Sequence, residues 1–191
     1  MNPMAFDSEA FNGDKFIEAE FLQLKKKYNI KTVIETGTYY GVTTEFFAKN
    51  FDNVHSIEIN ETYLNVAKEK LKYYKNCKMY HGSSSELLFN ILKEFGENTI
   101  IFLDAHWWKN PLLDELKAIK QSGIKPILVI HDFKNPEHPE YNYDTYPEQN
   151  IIYEWDYIKT AIEAIYGVNY EKYYNKEASE SKRGCIFIIS K

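Results

Sequence analysis

Five polar clusters along the chain combine residue types that can hold a ligand and act on it. The first is Glu35-Thr36-Gly37-Thr38-Tyr39-Tyr40-Gly41. Its glycines let the backbone turn tightly and approach a ligand closely. A helix starting behind such a turn presents free N–H groups to a bound group. A purely structural turn would use the same residues. The second is Glu58, just over ~20 residues past the turn, where an acid can accept both hydroxyls of a ribose. The third, His81-Gly82-Ser83, falls where the base of such a ligand, an adenine, would lie, and also reads as a turn and a helix cap. The fourth runs Leu103-Asp104-Ala105-His106-Trp107-Trp108-Lys109, and the fifth is Ile130-His131-Asp132. Asp104, His131 and Asp132 together offer carboxylate and imidazole donors of the kind that bind Mg²⁺, Mn²⁺, Fe²⁺ or Zn²⁺. Their structural alternative is backbone hydrogen bonding by Asp104 and strand-end packing by His131.

The elements that must position these clusters alternate. Ile17, Phe21, Leu24 and Tyr28 recur at helical spacing, so 14–28 reads as an amphipathic helix. Strands are expected at 32–36, 54–59, 77–80, 99–103 and 127–130, each followed by a helical pattern. Asn60 and Ser83 to Ser85 are N-cap candidates, Gly96 and Gly123 are helix stops, and Pro111 opens a helix. A last helix carries Trp155, Ile158, Ile162 and Ile165, and two final strands fit near 169–174 and 185–189. Five strands separated by helices imply a parallel sheet with right-handed crossovers. The last two strands have only a polar link between them and form a hairpin. The fold class is therefore α/β, doubly wound, with an antiparallel strand near one edge. Every cluster then falls at a strand's carboxyl end, where such sheets bind ligands.

The 191 residues are 44% hydrophobic and 27% charged, with no repeat or low-complexity linker, so residues 1–191 read as a single domain. No apolar run approaches the ~20 residues of a membrane helix. The first residues lack a secretory signal's basic start and apolar centre. Cys77 and Cys185 belong to no CxxC pair and read as buried thiols in a reducing compartment, so the expected location is cytoplasmic. With 23 basic against 28 acidic residues the net charge is −5, which disfavours a nucleic-acid partner.

Taken in order, these strand-end motifs resemble those of the class I S-adenosylmethionine-dependent methyltransferases, over roughly 32–133. The resemblance implies a Rossmann-like sheet of seven strands in order 3-2-1-4-5-7-6, strand seven antiparallel, with helices on both faces. Within that superfamily the chain is similar to small metal-dependent O-methyltransferases of the catechol type, and to the macrocin (sugar) type. Two departures stand out: extra sequence separates Asp104 from Lys109, and His131 stands where that family has an Asp ligand. By resemblance, Glu35, Gly37, Thr38 and Gly41, with Thr43, surround the methionine part of the cofactor. Glu58 and Ile59 hold its ribose side, Gly82 and Ser83 flank the adenine, and Asp104 borders the site. Asp104, His131 and Asp132 hold a divalent metal, Mg²⁺ first, that lowers the pKa of the substrate hydroxyl. His106 or Lys109 takes the proton.

The expected activity is methyl transfer from S-adenosylmethionine to a hydroxyl of a small molecule, a sugar or glycoside first and a catechol-like phenol second. Two other classes compete. One is an iron-dependent hydroxylase-like relative on the same fold, because a His and two carboxylates resemble a facial triad. The other is a non-catalytic S-adenosylmethionine-binding module. A nicotinamide dehydrogenase is disfavoured because Tyr39 interrupts the GxGxxG fingerprint. Residues 133–151 form a substrate-side loop, in which Tyr141, Tyr143 and Tyr146, followed by Tyr153 and Trp155, either stack on an acceptor ring or anchor the loop to the core. Residues 1–30 are a helical cap, over the cofactor or at a homodimer contact.

Overall fold

The computed structural model describes residues 9–96, 98–105 and 110–191. Five strands, β1 (Thr32–Thr36), β2 (Asn53–Glu58), β3 (Cys77–His81), β4 (Thr99–Leu103) and β5 (Ile127–His131), run parallel. A two-stranded ribbon, β6 (Thr145–Tyr146) with β7 (Ile151–Ile152), stands apart from the sheet. Two further strands, β8 (Tyr170–Tyr174) and β9 (Cys185–Ser190), complete a seven-stranded sheet in the order β3-β2-β1-β4-β5-β9-β8. β9 is antiparallel to both neighbours. This is the expected doubly wound architecture, with the order reversing between β1 and β4.

The helices are α1 (Lys15–Tyr28), α2 (Val42–Asn50), α3 (Glu61–Leu71), α4 (Ser84–Leu92), α5 (Leu112–Ser122) and α6 (Trp155–Tyr166). Strand residues alternate between two cores because successive side chains point to opposite faces. Val33, Ile100, Phe102 and Val129 face the core built by α1, α2 and α3. Ile34, Ile101, Leu103, Leu128 and Ile130 face the one built by α4, α5 and α6. Every residue of β1, β4 and β5 is buried, as both-faced coverage requires. α1 therefore supplies a layer of the sheet, through Ile17, Phe21 and Leu24.

Local chemistry explains the helix ends. The Asp14 carboxylate accepts from the N–H groups of Phe16 and Ile17 and starts α1. Asn60 does the same for α3 through Thr62 and Tyr63. Gly123, at φ 77°, ends α5. Three local expectations differ from the structure. α4 stops at Leu92, with Lys93 as its cap, so Gly96 is not its terminator. Ser83 caps α4 by backbone geometry alone, because its hydroxyl pairs with that of Ser85 at 2.9 Å. The ribbon β6–β7 lies partly inside the expected loop, since two-residue strands are too short to show a period. Among the described residues, no helix is long and apolar enough to cross a membrane.

Candidate active site

A cavity of about 850 Å³ opens beyond the carboxyl ends of the parallel strands. Its floor begins at the turn after β1. Gly37 has φ +87°, and a Cβ there would lie 2.5 Å from the Asp104 carbonyl oxygen. Only glycine lets the ends of β1 and β4 approach this closely. The turn is pinned to β2 by the Gly37 N–H, which donates to the Ile57 carbonyl at 2.9 Å. α2 then starts at Gly41, which brings no side chain to cap it. A Cβ on Gly41 would press into Ala67 at 2.9 Å, so this glycine serves the packing of α2 on α3 and does not line the cavity.

Glu35 also lies outside the cavity lining. It is fully buried under the turn, where Thr44 and Ser56 hydroxyls both donate to its Oε2. Its Oε1 has no partner. Burial pushes the carboxyl up to about 8, against the Ser56 and Thr44 hydrogen bonds, with the Asp104 and Glu58 charges adding to the rise. Thr38 joins this network through Ser56, at 2.6 Å, and reaches the cavity wall.

Glu58 ends β2 and lines the cavity. One carboxylate oxygen accepts from the Tyr39 N–H and the other from the Asn60 N–H, both at 2.8 Å. Each oxygen keeps a further lone pair, so the group is fixed in direction and still able to accept two hydroxyls. Next to it Ile59 has left the strand and is 62% exposed, an apolar side chain on the cavity wall. Gly82, Ser83, Ser84 and Ser85 form the neighbouring wall. The sequence reading missed an aromatic cluster here. The rings of Tyr39, Tyr40 and Tyr63 meet with centroids 4.2 to 5.1 Å apart and all line the cavity. The Tyr pair was visible in the turn, but Tyr63 joins it only because α3 folds back beside it.

The fourth and fifth clusters converge as expected. His131 Nδ1 lies 3.1 Å from Asp104 Oδ1 and 3.4 Å from Asp132 Oδ1. Burial by itself pushes the His131 imidazole down. The Asp132 and Asp104 charges, with hydrogen bonds to both, reverse this and hold it well above its ordinary range. His131 Nε2 is buried without a partner. One donor atom from each of the three residues lies within 4.8 Å of the others. Two carboxylate oxygens and a ring nitrogen at that spacing fit a divalent ion. His106 and Lys109, the candidate bases, lie outside the described residues.

Two further residues complete this end. Arg183 Nη1 lies 3.2 Å from Asp132 Oδ1 and 3.3 Å from Asp144 Oδ1. Arg183 is the only arginine in the sequence, a signal that composition alone carries. Asn12, Asn110, Asn142 and Ser181 also line the cavity, beside the carboxylates of Glu9 and Asp114 and the apolar Phe11 and Pro111. The Tyr-rich stretch does not stack here: none of Tyr141, Tyr143, Tyr146, Tyr153 and Trp155 lines the cavity. Tyr153 is buried and donates to Asn110 Oδ1 at 2.8 Å, and Tyr141 packs on His138 with centroids 4.7 Å apart. These rings anchor the loop, because burying a ring stabilises more than leaving it at a wet rim.

Comparison with known proteins gives the following. No protein-family model matches the chain. A ribosomal RNA small subunit methyltransferase A from Syntrophus aciditrophicus (strain SB) is 28% identical over 100 residues, 52% of this chain and 35% of that protein. The chain thus spans about a third of the length of the curated relative it matches. Among solved structures, a Staphylococcus aureus protein provisionally described as a caffeoyl-CoA O-methyltransferase has a TM-score of 0.63 at 19% identity, covering 93% of this chain and 84% of that one. The N-terminal domain of EvdMO1 with SAH bound has a TM-score of 0.56 at 14% identity, covering 91% of this chain and 80% of that one. At these identities the likeness to solved structures is one of fold.

Proposed function

We propose that this chain, which has the fold of the class I S-adenosylmethionine-dependent methyltransferases, transfers a methyl group from that cofactor to a hydroxyl of a small acceptor, a sugar or glycoside. The observation that carries the reading is the pairing, in one cavity, of a direction-fixed Glu58 with Asp104 and Asp132, the two carboxylates that His131 meets from its buried position behind the wall. Glu58 accepts the two ribose hydroxyls. Ile59 covers one face of the adenine, and Gly82 and Ser83 bound its edge. The uncapped start of α2 takes the carboxylate of the methionine part. Thr38 and Asp104 border the reacting centre.

The acceptor oxygen forms a bond to the methyl carbon as the carbon–sulfur bond breaks. The bonding pair stays on sulfur, and the hydroxyl proton goes to a base. His106 or Lys109, which follow Asp104 in the sequence, is the base this reading assigns, and His106 has the better matched ordinary pKa. The fixed walls align donor and acceptor at close approach, which supplies much of the rate. Asp104, Asp132 and His131 are the residues that would hold a divalent ion. Such an ion, when bound, lowers the pKa of the acceptor hydroxyl.

The Asn12, Asn110, Asn142 and Ser181 side chains support a hydroxyl-rich acceptor as the first choice, and the rings of Tyr39, Tyr40 and Tyr63 in the same cavity keep a phenol as the second. EvdMO1, a fold neighbour at a TM-score of 0.56, has been crystallised in the presence of SAH and D-fucose, which agrees with this choice. A nucleic-acid acceptor is disfavoured because the one basic side chain lining the cavity among the described residues, Arg183, is already paired with two carboxylates. The test is calorimetric titration with S-adenosylmethionine and S-adenosylhomocysteine, with and without Mg²⁺, followed by an acceptor screen. Binding, weakened at least tenfold by Glu58→Ala, is expected. No binding under either condition would remove the assignment. Fe²⁺ binding with oxygen uptake and no methyl transfer would favour the hydroxylase reading.

A further inference from the structure

The lone arginine of the sequence sits on the one group of residues suited to a divalent ion among the described residues, and the backbone is built to put it there. Gly184 follows it, and a Cβ on Gly184 would lie 2.0 Å from the Phe133 carbonyl oxygen. That contact lays the start of β9 directly on the backbone after Asp132. The Phe133 N–H returns a hydrogen bond to the Gly184 carbonyl at 2.9 Å. Asn175 Nδ2 holds the Arg183 carbonyl at 2.9 Å, and the Gly184 N–H donates to Asn142 at 2.9 Å. The guanidinium is therefore delivered by a pinned segment. Its Nη1 lies between Asp132 Oδ1 and Asp144 Oδ1, at 3.2 and 3.3 Å. All 22 other basic residues are lysines.

Asp132 Oδ1 is also the oxygen that faces His131 Nδ1. A divalent ion coordinated there would meet a fixed positive charge on the same carboxylate. We propose that Arg183 is the resident counter-cation of this site and competes with a divalent ion for Asp132, so that the ion binds only when the guanidinium withdraws onto Asp144. This rests on the reading of Asp104, His131 and Asp132 as metal ligands and adds the group that regulates their occupancy. Asp144 holds the arginine within reach, so withdrawal does not strand it.

The experiment measures Mn²⁺ binding to the full chain, by the electron paramagnetic resonance of free Mn²⁺ and by calorimetry. Arg183→Gln removes the charge and is expected to tighten Mn²⁺ binding roughly ten- to a hundredfold, the scale of one unit charge removed a few ångströms from a divalent ion in a partly wet site. Arg183→Lys keeps the charge but carries it on a shorter, more flexible stem and is expected to fall between wild type and Arg183→Gln. It also serves if Arg183→Gln does not fold, which circular dichroism reports. Adding Asp132→Asn to either variant should erase the gain. Equal or weaker Mn²⁺ binding in both variants, beside measurable binding by wild type, overturns the competition and leaves the metal reading standing. Absence of Mn²⁺ binding in all variants overturns the metal reading and the competition together.

Discussion

Glu35 shows how one residue type can serve a site from beneath it. Its burial lifts the carboxyl from an ordinary 4.5 to about 8. The folded chain thus holds a proton near neutral pH that the unfolded chain has released. Stability from this group is fully present below about 4.5 and is lost as pH rises towards 8. Glu35→Gln copies the protonated form and should flatten that dependence. Thermal melts at pH 5 and pH 8.5 check it: the wild type should lose more stability between the two than the variant. Parallel curves would mean that Glu35 is not protonated in the fold. The positions of Glu35 and Glu58 in the sequence differ little in kind, since both are acids at or near a strand end. Their roles diverge because Glu35 lies one residue before the end of β1, under the turn where the Thr44 and Ser56 hydroxyls reach it, while Glu58 ends β2 and faces the open cavity.

At the scale of elements, most of what positions the site was legible from the chain. The β-branched and aliphatic runs of β1, β4 and β5, and the stripe Leu64, Ala67 and Leu71 of α3, act through periods that any reader can count. The caps are equally local. Asn60→Ala removes the acceptor for the Thr62 and Tyr63 N–H groups and should cost about 1 kcal/mol, or ~2–4 °C in melting temperature. S-adenosylhomocysteine affinity should change little, because the Asn60 backbone N–H that orients Glu58 remains. A large loss of affinity with an unchanged melting temperature would instead assign the Asn60 side chain to the ligand. What sequence period could not show was the ribbon β6–β7, or the use of Tyr153 as an anchor for Asn110, since neither repeats.

Across the whole molecule, the cavity depends on the core beneath it. Phe21 of α1 is fully buried against Phe11, Phe47 and Phe102, with ring centroids 5.0 to 5.6 Å away. Phe11 in turn lines the cavity. Phe21→Ala should cost roughly 3–5 kcal/mol in urea unfolding and should weaken S-adenosylhomocysteine binding through the loosened Phe11. Full affinity in a destabilised variant would separate the α1 core from the site.

The chain by itself determined what depends on neighbours in sequence. That comprises the strand and helix alternation, the caps, the glycine turn, the acid at the end of β2, and the set Asp104, His131 and Asp132. These follow from residue type and short spacing, and a parallel sheet brings strand ends together whatever its details. Only the tertiary structure decided contacts between residues far apart in the chain. It buried Glu35, turned the Tyr-rich stretch into the core, joined Tyr63 to Tyr39 and Tyr40, and set Arg183 on Asp132. Each is a choice of which surface meets which, settled by packing and charge balance across the sheet rather than by any pattern along one segment.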